Sequence, residues 1–199
     1  MKKLAALFDR VPKFVLFGAA GLIQVALIGL MVADRVTILR TGVDVTLQTR
    51  PLDPRDFLRG DYVTLGYDIS SVPSGVLKDE PSPGRHPPVF VKLAPNRDGF
   101  YEAISVHAAP VDVTGPEVLI RGRVFFGANC GPDLSMFCET LQVRYGIERY
   151  FVPEGEGRNL EDARNRRKLT IVAAVAPTGR AAIKRLLIDG EPVYDEPWF

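Results

Sequence analysis

From Phe14 to Ala33 the chain runs FVLFGAAGLIQVALIGLMVA, 20 residues with no charge and one polar side chain, Gln24. No polar face recurs at helical spacing, so the segment does not read as the half-buried helix of a soluble core. As a helix it would extend about 30 Å, the thickness of a bilayer's hydrocarbon interior. Helical geometry is also the one way a single span satisfies its backbone in lipid. Lys2, Lys3, Arg10 and Lys13, diluted by Asp9, precede the segment, and Asp34, Arg35 and Arg40 follow it. The basic excess on the N-terminal flank predicts a cytoplasmic N-terminus and an exported remainder. A cleaved signal peptide fits less well. Its apolar core would run roughly 7–15 residues, and cleavage after Ala33 would put bulky Met31 where a small residue is needed. Gln24 can bond a partner helix, and Gly18, Gly21, Ala26 and Gly29 permit close packing.

Beyond the apolar run the period changes from helical to two. Val43, Val45 and Leu47 alternate with Asp44, Thr46 and Gln48, and Pro51 and Pro54 end that strand. Asp56 to Arg59 fits a single helical turn. Tyr62 to Ile69 alternates again, with Val63, Leu65, Tyr67 and Ile69 on one face. Residues 70–88, rich in proline, read as an irregular surface loop. Pro88 to Ala94 and Phe100 to His107 form a hairpin across Asn96-Arg97-Asp98-Gly99. Val118 to Phe126 is a strand in which Gly122 marks a bulge or a close approach. Leu141 to Phe151 is one more strand, with a possible break at Gly146. Asn159 to Arg166 is a short polar helix, acidic early and basic late, as the helix dipole prefers. Leu169 to Ala176 and Ala181 to Ile188 pair around Pro177-Thr178-Gly179-Arg180, and Asp189-Gly190 turns the chain toward Val193-Tyr194.

The expected fold class is therefore mainly β, an antiparallel sandwich or partly closed barrel with one short helix, preceded by a single N-terminal transmembrane helix. Residues 1–40 form the cytoplasmic tail and anchor, and 41–199 the exported β-rich domain. Composition adds two points. With Gly 18 and Pro 16 among 199 residues, turns are plentiful. A net charge of +1, without a basic stripe, gives no reason to expect nucleic acid as a partner. Cys130 and Cys138 flank a loop containing Gly131 and Pro132; in an oxidising compartment they would form a disulfide worth about 2–3 kcal/mol. They lack CxxC spacing, and His86 and His107 lie far away in sequence, so neither a redox pair nor a zinc site is expected.

Gly60 to Tyr67 reads GDYVTLGY. It matches the pattern GDYXXLXY, and the chain thereby resembles the family of bacterial membrane-anchored proteins named for that pattern. The flanks DPRDFLRG and YGIERYFVPEGEGRNLEDAR, the latter at Tyr145 to Arg164, are similar too. The resemblance implies an anchor and one compact exported domain. It implies no reaction and no catalytic residues.

The motif's own physics suits a turn followed by a buried strand, with Gly60 bending the chain and Asp61 bonding turn amides. Read functionally, Asp56, Arg59, Asp61, Tyr62 and Tyr67, with Glu148, Arg149, Tyr150 and Glu154 from the downstream block, are candidates to line a binding groove. The favoured expectation is a non-enzymatic binding or assembly module in the periplasm. It would be held in the bacterial inner membrane by lipid contact through residues 14–33, beside another membrane or envelope protein, without cofactor or metal. Two alternatives involve chemistry. The order of span, strand and Gly-Asp is similar to type I signal peptidases, but the stretch Thr49 to Pro54 holds no serine for a Ser/Lys dyad, and Ser135-Met136 lies far downstream without the proline. Asp53, Asp56 and Asp61 form a carboxylate set for a small ligand or metal, with Arg55 and Arg59 interleaved. The aromatic end, Trp198-Phe199, is expected to dock on the domain, with a partner as the alternative.

Overall fold

The computed structural model describes residues 12–52, 62–79, 84, 86–125, 140–152 and 157–197. The chain divides into two compact units, the boundary falling between Thr37 and Ile38. The first unit is built on helix α1, Lys13–Thr41, whose 29 residues carry it into the second unit. Its length and apolar composition are sufficient to cross a membrane. Phe14, Phe17, Leu22, Val25, Leu30 and Met31 are exposed along it. Its last turn belongs to the second unit, where Ile38 and Leu39 are buried with Ala174 and Ala182. Gly42 ends the helix by donating its N–H to the Ile38 carbonyl at 2.9 Å. A Cβ there would stand 2.6 Å from that oxygen and 2.9 Å from the Val175 nitrogen, so space, not backbone angle, requires glycine.

The second unit is mainly β and antiparallel in every strand pairing, as the alternation predicts. Its strands are β1 Val43–Arg50, β2 Tyr62–Thr64, β3 Gly66–Tyr67, β4 Ser71–Pro73, β5 Pro88–Pro95, β6 Tyr101–His107, β7 Val118–Phe125, β8 Thr140–Arg144, β9 Arg149–Phe151, β10 Leu169–Val175, β11 Ala181–Ile188 and β12 Glu191–Asp195. One sheet has the order β12-β11-β10-β1-β3, a second β4-β8-β7-β5-β6, and β2 pairs with β9. Inward residues of both sheets share a single core: Val45, Leu47 and Ile171 from one, Val89, Val91, Ile120 and Val143 from the other. A backbone bond from Arg121 N–H to the Gly179 carbonyl, 2.7 Å, ties β7 to the β10–β11 turn. Helix α2, Gly157–Asn165, packs Leu160 and Ala163 into the same core.

The hairpin turns follow their sequence signals. Asn96 Oδ1 accepts from the Asp98 and Phe100 amides at 3.0 Å each, and Gly99 takes φ +85°. Asp189 and Gly190 both adopt positive φ, 52° and 86°, the demand of a two-residue turn that matches strand twist. At Gly122 the close approach is real: a Cβ would fall 2.5 Å from a Val143 methyl.

Two elements depart from expectation, and a third breaks at the glycine where a break was expected. Tyr62 to Ile69 keeps its buried face, but it is two strands with different partners: β2 lies on β9, and β3 on β1. A three-residue turn of 3-10 helix, Asp68–Ser70, then carries the chain toward the other sheet. Residues 70–88 are not wholly irregular. Val72 is fully buried, which draws β4 onto β8, and Leu77 forms a bridge with Val106. Leu141 to Phe151 does break at Gly146, where φ is +84°, giving β8 and β9 to separate pairings.

Candidate functional site

The signature segment and the downstream block meet residue by residue. β2 and β9 pair in the register Tyr62–Phe151, Val63–Tyr150 and Thr64–Arg149. The chain then turns, and the Leu65 N–H donates to the Glu148 carbonyl at 2.8 Å. Two tyrosines close the junction reciprocally. Tyr67, fully buried, donates its hydroxyl to the Ile147 carbonyl. Tyr145 donates its own to the Ile69 carbonyl at 2.7 Å. Each phenol thus reaches into the segment that carries the other. Burial pushes both phenols well above the ordinary tyrosine pKa, and the Glu148 carboxylate adds to the shift, so both stay protonated donors. Glu148 is itself engaged locally: its carboxylate accepts from the Tyr145 amide and, at 2.9 Å, from the Gly146 amide. That arrangement holds the turn on which the Ile147 carbonyl is presented.

Arg164 braces the same junction from behind. It is 1% exposed. Its guanidinium donates to the Thr64 carbonyl, to the Leu52 carbonyl at 3.3 Å, and to Asn165 Oδ1 at 3.1 and 3.2 Å. Desolvation lowers its pKa, and Glu161, one turn earlier on α2, pushes it back up. Sequence reasoning assigned Arg164 only to the helix dipole. The missed signal is its spacing: Leu160, Ala163 and Arg164 lie at i, i+3 and i+4, so the arginine shares the face of the helix's apolar residues.

The opposite side of the β2–β9 pair faces outward. The Tyr62 and Phe151 rings lie 6.0 Å apart, tilted by 55°. The Arg149 guanidinium stands 5.6 Å from the Tyr62 ring centre. Phe151 is 77% exposed. Tyr150 points the other way, buried, with its ring edge-on to Tyr194 at 6.2 Å. Of the candidate groove residues, the structure therefore brings Tyr62 and Arg149 together on an open face. The contacts of Tyr67, Glu148 and Tyr150 described above are internal to the domain. Asp56, Arg59, Asp61 and Glu154 lie outside the described residues, as do Asp53, Cys130, Cys138, Ser135, Trp198 and Phe199. Among the described residues no three His, Cys, Asp or Glu side chains cluster as a metal would require.

Fold and site together define a class: an antiparallel β domain preceded by one membrane-length helix, with a tyrosine-closed junction between two short strands. The model of the GDYXXLXY protein family matches residues 24–186, most of the chain, and the chain belongs to that family. No curated protein and no solved structure matches it.

Proposed function

We propose that this protein is a membrane-anchored binding or assembly module. On this reading α1 anchors it in the bacterial inner membrane with the N-terminus cytoplasmic. The β domain stands on the periplasmic side and binds another membrane or envelope protein through the Tyr62–Arg149–Phe151 face. The observation that carries the reading is Phe151, a large apolar side chain 77% exposed beside a cation and a second ring. Aromatic and arginine side chains are the types that anchor protein interfaces. Tethering supports it further, because confinement near the membrane raises the effective concentration of a second membrane protein. The basic N-terminal flank supports the orientation, and an oxidising compartment would let Cys130 and Cys138 join. Binding at this face asks no bond-breaking of it.

The test is site-specific photocrosslinking in intact cells, with a photoreactive amino acid replacing Phe151 and, as a control, the exposed Val113 between β6 and β7. A discrete adduct from position 151 that is absent from 113 and abolished by Arg149→Glu supports the proposal. Identical patterns from both positions, or no adduct from 151, refute it. A reporter fused after residue 199 that is active only in the cytoplasm would overturn the orientation.

A further inference from the structure

A second constellation lies on the other five-stranded sheet, away from the β2–β9 pair, and goes beyond the binding reading. Ser105 and His107 occupy alternate positions of β6 and so share one face of it. His107 Nε2 is 2.9 Å from Ser105 Oγ. His107 Nδ1 is 3.3 Å from Asp79 Oδ2. The topology explains the meeting. After the second 3-10 turn, Ser74–Val76, the chain runs beside β6: Leu77 bridges Val106, and Lys78 donates to the Val106 carbonyl at 2.9 Å. That places Asp79 next to His107. A bulge leaves Ile104 unpaired and sets Ser105 opposite Lys92 and His107 opposite Phe90 on β5.

We propose that Ser105, His107 and Asp79 form an acyl-transfer site that hydrolyses carboxylic esters with a short acyl group. One tautomer satisfies both contacts: a proton on Nδ1 is donated to Asp79, which leaves Nε2 as an acceptor for the serine hydroxyl. This is the order of roles that makes a serine nucleophilic. Ser105 is 8% exposed and the His107 side chain 15%, so the pair is largely shielded from water, while the Asp79 side chain, 56% exposed, opens to solvent. So little of Ser105 is open that only a small acyl group can meet it. In the step, Ser105 Oγ attacks the ester carbonyl carbon and its proton passes to His107 Nε2. The carbonyl π pair moves to oxygen, then returns as the ester C–O bond breaks. The departing alcohol takes the proton from Nε2. Water attacks the acyl-serine by the same route, releasing the acid and restoring the serine. Lys92 is the β5 partner of Ser105 and its ammonium is held at 3.1 Å by Glu117; on this proposal it supplies the positive charge for the developing oxyanion. Asp79 acts through His107 and is a positioning residue.

The experiment uses the full-length protein in mild detergent, with a fluorophosphonate and with p-nitrophenyl acetate. The wild-type chain should gain one phosphonyl group, mapped to Ser105, and release p-nitrophenolate; Ser105→Ala should lose both. His107→Gln should slow both by about 100-fold or more. Asp79→Asn should lower kcat about tenfold or more with little change in KM, and Asp79→Glu should restore most of it, which a merely structural contact would not do. An unlabelled wild-type chain, an adduct on another residue, or His107→Gln labelling at the wild-type rate overturns the site. If Ser105→Ala or His107→Gln fails to fold, Asp79→Asn, at an exposed position, decides alone: unchanged rates overturn the proposal. Val193→Ala, at an exposed position of β12 in the other five-stranded sheet, should leave labelling unaltered.

Discussion

Replacing Tyr67 by phenylalanine removes one oxygen from the centre of the domain and nothing else. The ring volume is preserved, so no cavity opens. What is lost is the bond to the Ile147 carbonyl, whose residue is 3% exposed and has little access to water as a substitute partner. An unsatisfied buried acceptor costs about 1–3 kcal/mol. For a domain of this size each kcal/mol lowers Tm by about 2–4 °C, so Tyr67→Phe should melt roughly 2–12 °C below wild type. Tyr145→Phe should do the same through the Ile69 carbonyl. The two bonds fasten the same pair of segments, so their losses should not add. Once one is gone the junction relaxes, and the second deletion should cost at least about 0.5 kcal/mol less than it does alone. Thermal unfolding of the four full-length proteins in one detergent, followed by far-ultraviolet circular dichroism, closes the cycle. Single variants within about 0.5 kcal/mol of wild type, or a strictly additive double variant, would refute the reciprocal closure.

Three further outcomes follow from the same geometry. Because burial raises both tyrosine pKa values, the unfolded chain releases these protons near pH ~10 while the folded chain retains them; their contribution is full below that pH and is lost above it. Stability should fall by about 1.4 kcal/mol per pH unit for each tyrosine as pH rises past 10, and each phenylalanine variant should remove its share of that slope in alkaline unfolding curves. Arg164→Met should cost about 2–4 kcal/mol by stranding the Thr64 and Leu52 carbonyls, measured by urea unfolding, whereas Arg166→Met on the exposed face should cost under about 0.5 kcal/mol. Gly42→Ala should destabilise by about 1–3 kcal/mol in the same assay, since its Cβ would meet only backbone atoms, at 2.6, 2.9 and 3.1 Å.

Much of this fold was legible because its signals are local. The apolar run gave α1, and alternation gave the buried faces of β1 and of Val63, Leu65, Tyr67 and Ile69. Asn96 to Gly99 and Asp189-Gly190 gave turns, since positive φ has few residue solutions. What stayed hidden depends on contacts distant in sequence. Nothing in Tyr62 to Tyr67 marks the exchange of partner from β9 to β1, because alternation reports which face is buried and not which strand lies alongside. The proline-rich stretch concealed β4 for a related reason: Pro73 lies in an outer strand of its sheet, where a missing N–H is tolerated. The candidate site was legible in composition and only partly in geometry. Tyr62 and Arg149 do meet, but nothing in the sequence indicated that Tyr67 and Tyr145 would use each other's segments, or that Asp79, Ser105 and His107 would converge.

The signature pattern itself then reads as a folding constraint. Among its described named positions, Leu65 is buried at 1% exposure and Tyr67 at 0%, each committed to the junction with residues 145–148. A side chain at Gly66 would displace Leu52, because a Cβ would lie 2.9 Å from the Leu52 side chain. Tyr62 alone among them turns its ring toward the exposed face. A motif spent on packing identifies the fold and leaves the chemistry elsewhere. On that argument, substitution at Leu65 or Tyr67 should lower the amount of folded protein without selectively altering partner crosslinking or ester turnover per folded molecule. Substitution at Arg149 should leave the amount of folded protein unchanged and remove the crosslink. If Tyr67→Phe instead abolished crosslinking in a fully folded protein, the motif would belong to the binding groove, and its tyrosine would have a second role beyond closing the junction.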